Sequence, residues 1–136
     1  MPEERHLHPT RAVAMAQDLI DTGRPFHAHE VLELAWKSAP ASERDLWQGL
    51  AQLAVGLTHA SRGNGRGAVA LLRRGATALG GYAGTRPHGI DVTGARAAAA
   101  ELADEIERSG PESIPAAGLR LRMIADRPAG YRQAGD

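Results

Sequence analysis

The stretch LWQGLAQLAVGLTHAS, residues 46–61, contains no Asp, Glu, Lys or Arg over about four helical turns. Its leucines recur at intervals of three and four residues, which is the spacing of one face of an α-helix. A helix without charged residues must be covered on most of its sides, because an exposed helix carries a polar face. The sequence therefore predicts an all-α fold, a compact bundle of about five helices around this central helix at about residues 43–62.

Two faces of the central helix have distinct compositions. The apolar seam consists of Leu46, Leu50, Leu53, Leu57 and Ala60. Gly49 and Gly56 form a strip of small residues, where we expect the backbone of another helix to approach closely.

Turn and capping signals divide the rest of the chain into four further helices. These are predicted over residues 11–22, 25–38, 66–79 and 91–109, with Met15 among the inner residues of the first. The expected N-terminal caps are Thr10, Ser42, Asn64, and Asp91 or Thr93.

The remaining segments define the predicted domain boundaries. Leu119–Met123 alternates apolar and basic residues, which is typical of a short extended segment packed on one face. We expect a single helical-bundle domain over residues 10–127, a flexible N-terminal arm over 1–9 and a disordered tail over 128–136.

The amino-acid composition excludes some classes of function for this protein. The chain has 136 residues and no cysteine, which excludes disulfides and thiolate metal sites. Sixteen basic residues balance sixteen acidic ones, so we expect neither a nucleic-acid surface nor a membrane surface. The polar N-terminus is unlike a signal peptide, and no apolar run is long enough to cross a bilayer. We expect a soluble, cytoplasmic protein.

The stretch FHAHEVLELAW, residues 26–36, holds two histidines, two glutamates and one of the two tryptophans. At roughly 100° per residue, His29 and Glu33 share the inner face of this helix. Glu30 is nearer the outer edge, and His27 lies outside. Buried ionisable groups need partners, because an unpaired one is costly.

The central helix offers such partners. Gln48, Gln52 and His59 share one face, roughly opposite the apolar seam. Helices joined by a short loop tend to be antiparallel neighbours. We therefore expect this polar face to pack against His29 and Glu33.

Three interpretations of this arrangement remain open. In the first, His29, Glu33 and His59 bind a divalent metal such as zinc, with a coordination position left for water. The pattern His-Glu-x-x-Glu at residues 29–33 also resembles the zinc-protease pattern His-Glu-x-x-His, with Glu30 as general base and His29 as its catalytic partner. The second imidazole of that pattern is replaced by Glu33.

In the second interpretation, no metal is needed. Gln48, Gln52 and Trp36 help to bind a small polar molecule, and the His29–Glu33 pair transfers protons. In the third, the polar residues only fix how two helices pack. The protein would then be a non-enzymatic interaction module that binds itself or a partner through surfaces rich in Ala and Gly, which makes a homodimer an expected assembly.

These residues carry a resemblance to a protein family, the domain of unknown function 309. Its motif Ala-His-Glu-x-x-Glu-x-x-Trp corresponds to residues 28–36 here, and its Leu-x-Gln-Gly-Leu stretch begins at Leu46. His59 and the Gly-Asn-x-x-Gly-Ala pattern at residues 63–68 also match. The resemblance covers about residues 20–80. It implies an all-α bundle and no particular reaction, with signature polar positions at His29, Glu30, Glu33, Gln48, Gln52 and His59.

From the sequence we therefore expect an interhelical His/Glu/Gln pocket between the second and third helices. It would bind a metal ion or a small polar ligand, and its residue types also suit hydrolysis.

Overall fold

Five α-helices follow one another through residues 7–125, the part of the chain that the computed structural model describes. They are α1 (Pro9–Asp21), α2 (Pro25–Ser38), α3 (Arg44–Ser61), α4 (Gly65–Ala78) and α5 (Val92–Ser109). The predicted all-α bundle is confirmed. The expected arm over residues 1–9 lies mostly outside the described residues, and the expected tail over 128–136 lies wholly outside them.

The charge-free helix is α3, and it contributes the most to the core. Ten of its eighteen residues are buried, against two of fourteen on α2. All five residues of the predicted apolar seam are among those buried. Because α3 packs against both α2 and α4, it has solvent on only a narrow side, which explains why its sequence lacks charges.

The small residues of α3 allow α4 to approach closely. A Cβ atom added to Gly75 on α4 would lie only 2.8 Å from the backbone oxygen of Gly49 on α3. A Cβ atom added to Gly56 would lie 2.8 Å from Cγ of Leu72. Glycine is therefore required at these positions by the distance between the two helix backbones, as the predicted strip of small residues indicated.

Two predicted caps form and two do not. Asn64 and Asp91 cap α4 and α5, accepting hydrogen bonds from the backbone N–H groups of Gly67 and Gly94 at 3.0 and 3.1 Å. The expectation for Thr10 was wrong, because α1 begins at Pro9 and the side chain of His8 accepts from the Thr10 N–H instead.

Ser42 does not cap α3 either. It lies inside a short 3₁₀ helix, Ala41–Glu43, that precedes α3. The residue before α3 is Glu43, whose side chain makes no capping hydrogen bond. The chain therefore enters α3 directly from a 3₁₀ turn, without a side-chain cap.

The predicted inner face of α1 is correct except at Met15, and it omitted Gln17. Met15 is 38% exposed, whereas Gln17 is only 3% exposed. The reason is a contact with the end of the described chain. Gln17 Oε1 accepts from the N–H groups of Met123 and Ile124 at 2.7 and 3.1 Å, and its Nε2 donates to the Leu121 oxygen at 2.9 Å.

The alternating segment near residue 120 packs as its pattern indicates. Leu121 and Met123 are buried, while Arg120 is exposed. Ile124 forms an isolated antiparallel bridge with Ile90. A 3₁₀ helix, Ala116–Leu119, occupies the start of the predicted segment, so the extended part begins later than expected.

Within residues 7–125, no helix combines the length and hydropathy that crossing a bilayer requires.

Candidate interhelical groove

A groove of about 210 Å³ lies between α2 and α3. Its lining consists of His29, Glu33 and Trp36 from α2 and Gln48, Ala51, Gln52 and Val55 from α3. Five residues that the sequence singled out as site candidates therefore line one groove. Four of them are polar or ionisable, which sets this lining apart from the apolar interface between α3 and α4.

Two arginine–aromatic contacts define the orientation of the helices that form the groove. The guanidinium of Arg44, at the start of α3, lies 5.0 Å from the ring centroid of Trp36, near the end of α2. The guanidinium of Arg62, just beyond the end of α3, lies 5.6 Å from the ring of Phe26, near the start of α2. The two helices are thus antiparallel, and a cation covers an aromatic ring at each end of the groove.

Two polar atoms of the groove lining are buried without a hydrogen-bond partner among the described residues. His29 Nδ1 and Gln52 Oε1 are both buried, and neither has a hydrogen-bond partner in that part of the chain. Leaving a buried polar atom unpaired costs about 1–3 kcal/mol, and such atoms are rare in native structures. Two of them line a single small groove.

His59 lies at another place. It is on the same face of α3 as Gln52, but it does not belong to the lining of the groove. Its Nδ1 is 3.1 Å from Nδ2 of Asn64, in the turn between α3 and α4. A Cβ atom added to Gly67 would lie 2.9 Å from His59 Cγ, so the imidazole packs against the start of α4.

His59, the third expected metal ligand, therefore does not join His29 and Glu33 in the groove. Within residues 7–125, no three or more His, Asp or Glu side chains form a group that could hold a metal ion. Of the side-chain types that commonly bind metal ions, the groove lining contains one imidazole, His29, and one carboxylate, Glu33.

Glu30, the expected general base, is exposed and is not part of the lining. His27 is exposed as well, as helical phase predicted. The ionisable side chains that face the groove are thus His29 and Glu33 alone, and both are half-buried.

A second polar cluster, which the sequence did not indicate, lies at the start of α3. His88 Nε2 lies 2.9 Å from Glu43 Oε1, and Trp47 Nε1 donates to the same oxygen at 3.2 Å. The rings of Trp47 and His88 are 5.8 Å apart. His88 and Glu43 are 45 residues apart in the chain, so no local spacing could have predicted the pair.

The pKa of Glu43 reflects this environment. Burial alone would raise it, but hydrogen bonds from His88 and Trp47, together with the charge of His88, hold the pKa below its ordinary value. His88 also has a left-handed backbone, with φ of 55°, which is uncommon for a residue other than glycine. The contacts with Glu43 and Trp47 hold the loop that contains His88 against α3.

One comparison with known proteins covers the part of the chain that forms the groove. The model of the family described as Domain of unknown function (DUF309) matches residues 13–71. This range includes α2 and α3 and therefore every residue that lines the groove. No curated protein and no solved structure matches the chain. The predicted resemblance is thereby confirmed: from Val13 to Leu71, across the whole of the groove, this chain resembles the DUF309 family.

Proposed function

We propose that the groove between α2 and α3 binds a small polar molecule. The observation that carries this proposal is the pair of buried atoms without partners, His29 Nδ1 and Gln52 Oε1. A bound molecule that hydrogen-bonds to both atoms would supply the partners that the described residues do not. Because the two atoms come from different helices, one molecule would contact both walls.

The other polar residues of the lining support a binding role over a packing role. A network that fixes helix packing needs hydrogen bonds between its members. Among the described residues, His29 Nδ1 and Gln52 Oε1 have no hydrogen-bond partner, so neither atom bonds across the interface between α2 and α3. Polar groups that converge on one cavity while remaining unpaired are typical of a ligand site.

Proton transfer to the bound molecule would depend on His29. Imidazole is the side chain that most often serves as general acid or base, and Glu33 is the carboxylate of the same lining. Hydrolysis of a bound ester or amide would require a positioned water as well. We propose binding as the primary function, with acid–base chemistry as an activity to be tested on any molecule that binds.

A divalent metal fits the groove less well. Catalytic zinc sites use three protein ligands and leave one position for water. His29 and Glu33 supply two, and Gln52 could add only a neutral amide oxygen. We therefore expect zinc to bind weakly at most.

The proposal can be tested with a library of small amines, alcohols, amides and carboxylates and ¹⁵N-labelled protein. Molecules that bind should shift the side-chain amide signals of Gln48 and Gln52 and the indole N–H signal of Trp36. The replacements His29→Leu and Gln52→Leu should each weaken binding by roughly tenfold, because each removes one buried hydrogen-bonding atom from the lining.

His27→Leu is the matched control for His29→Leu, because His27 lies two positions away on the same helix and is exposed. Binding should be unchanged in that variant. The proposal is wrong if no library member shifts the groove signals, or if the molecules that bind do so equally well in the His29 and Gln52 variants. The same spectra detect self-association through line broadening, which tests the expected homodimer.

A further inference from the structure

The charge of the groove lining indicates which molecules it would favour. Of the seven described residues that line the groove, Glu33 is the one with a formal charge at neutral pH, and none is Lys or Arg. The lining is therefore negative when His29 is neutral. Phosphate and carboxylate sites in proteins usually contain an arginine, a lysine or a helix N-terminus, and the lining lacks such cationic side chains.

The hydrogen-bonding capacity of the lining agrees with its charge. Gln52 Oε1 is a buried acceptor without a partner, and the Glu33 carboxylate has only acceptor atoms when ionised. His29 Nδ1 accepts in one of the two neutral tautomers. A molecule with several N–H donors would pair with all three groups, whereas a molecule with only acceptors could pair only with the amide and indole N–H groups of Gln48, Gln52 and Trp36.

The aromatic wall is compatible with a cation. Trp36 already holds the guanidinium of Arg44 at 5.0 Å from its ring centroid, which is within the range of a cation–π contact. Arg44 and Arg62, which cover aromatic rings at the two ends of α2, are both exposed. Both arginines project into solvent and neither belongs to the lining, whereas Glu33 and the buried Gln52 Oε1 do.

The volume of the groove limits the size of the molecule. At about 210 Å³ it is smaller than the roughly 300–1,000 Å³ of sites for drug-sized ligands. A guanidinium or ammonium group with a short alkyl chain fits this space.

We infer that the groove selects a small cation with N–H donors, a guanidinium or a primary ammonium group, held by Glu33, Gln52 and His29. This inference rests on the proposed function and assigns its ligand class. The cation is either a free small molecule or the side chain of an arginine or lysine on a polypeptide.

Four probes of similar size test the assignment at equal ionic strength: methylguanidinium chloride, propylammonium chloride, propionamide and sodium propionate. Titrations followed by ¹⁵N spectra should give the tightest binding for one of the two cations. Glu33→Gln keeps the shape of the side chain and removes its charge. It should weaken cation binding by roughly tenfold, because charge-assisted hydrogen bonds are about twice as strong as neutral ones.

Asp45→Asn is the matched control, since Asp45 is exposed on the first turn of α3 and does not line the groove. Cation binding should change less than twofold in this variant. A capped tripeptide with a central arginine distinguishes a free small cation from a cationic side chain on a polypeptide. Tighter binding of the tripeptide than of methylguanidinium indicates a polypeptide, and equal or weaker binding indicates a free cation; both outcomes support the cation class.

Two results would overturn the inference in different ways. If propionate or propionamide binds at least as tightly as the cations, the ligand class is wrong while the proposed binding function stands. If none of the four probes shifts the groove signals, the cation class is also wrong. Binding by another member of the wider library would then preserve the proposed function, and the absence of any binding would remove it too.

Discussion

His29 Nδ1 on α2 and Gln52 Oε1 on α3 are buried in the walls of one groove, and neither has a hydrogen-bond partner among the described residues. Gln17, by contrast, uses both atoms of its amide to hold the segment that contains Leu121 and Met123. Within residues 7–125, two buried or half-buried glutamines are thus in opposite states. The same substitution to leucine should therefore lower the free energy of unfolding at Gln17 but not at Gln52.

Gln52→Leu should leave the free energy of unfolding unchanged or raise it by about 1 kcal/mol. Leucine is close to glutamine in size and removes an amide oxygen that is buried without a partner. Urea denaturation followed by tryptophan fluorescence measures this change. A loss of more than about 1 kcal/mol would mean that the amide stabilises helix packing, and it would support the packing interpretation.

Gln17→Leu should lower the free energy of unfolding by about 2–4 kcal/mol. The substitution leaves the backbone N–H of Met123 and the oxygen of Leu121 without their side-chain partner. The same urea denaturation measures the loss. Hydrogen exchange should also become faster at Met123 and Ile124, and unchanged exchange there would contradict the assigned role.

Glu43→Gln should destabilise the protein at pH 7 by roughly 1–2 kcal/mol, and the difference from wild type should shrink in acid. The pKa of Glu43 is lowered in the folded protein, so the folded state binds fewer protons than the unfolded state. The stabilisation from this carboxylate is therefore present above its unfolded pKa and is lost as the pH falls through its folded pKa. Denaturation curves of both proteins from pH 7 to pH 3 measure the difference, and a difference that does not depend on pH would refute this explanation.

Gly75→Ala should lower the free energy of unfolding by about 1–3 kcal/mol. The new methyl group would lie 2.8 Å from the Gly49 backbone oxygen and 2.7 Å from Cδ2 of Leu53, so α3 and α4 would have to separate. Gly81→Ala is the control, because an added Cβ there meets no atom within 4 Å. Thermal denaturation of the two variants provides the comparison, and equal stability would show that the contact between α3 and α4 adapts without cost.

Much of the bundle could be predicted because its signals are local. The absence of charge from Leu46 to Ser61 predicted the most buried helix, since exposure of an uncharged helix is unfavourable. Asn64 and Asp91 were recognised as caps because a cap acts on an N–H group only three residues away. The resemblance to the DUF309 family rests on sequence as well. The cytoplasmic location remains a prediction.

For the candidate site, helical phase predicted only which residues share a face of the same helix. Phase indicated that His29 and Glu33 share a face, and that Gln48, Gln52 and His59 share another. It did not indicate which part of each face meets the other helix. His59 follows Gln52 by seven residues and therefore lies about 10 Å further along the axis of α3, where Asn64 and Gly67 are its neighbours.

By itself, the sequence determined the helices, the central position of α3 and the residue types that face the groove. Periodicity and capping act over a few residues, so they are written into short stretches of the chain. The tertiary structure alone decided that His59 lies outside the groove, that Gln17 binds Met123 across 106 residues, and that His88 pairs with Glu43. Those contacts depend on how far along their axes the packed helices meet and on the path of the loops, and neither has a local signal in the sequence.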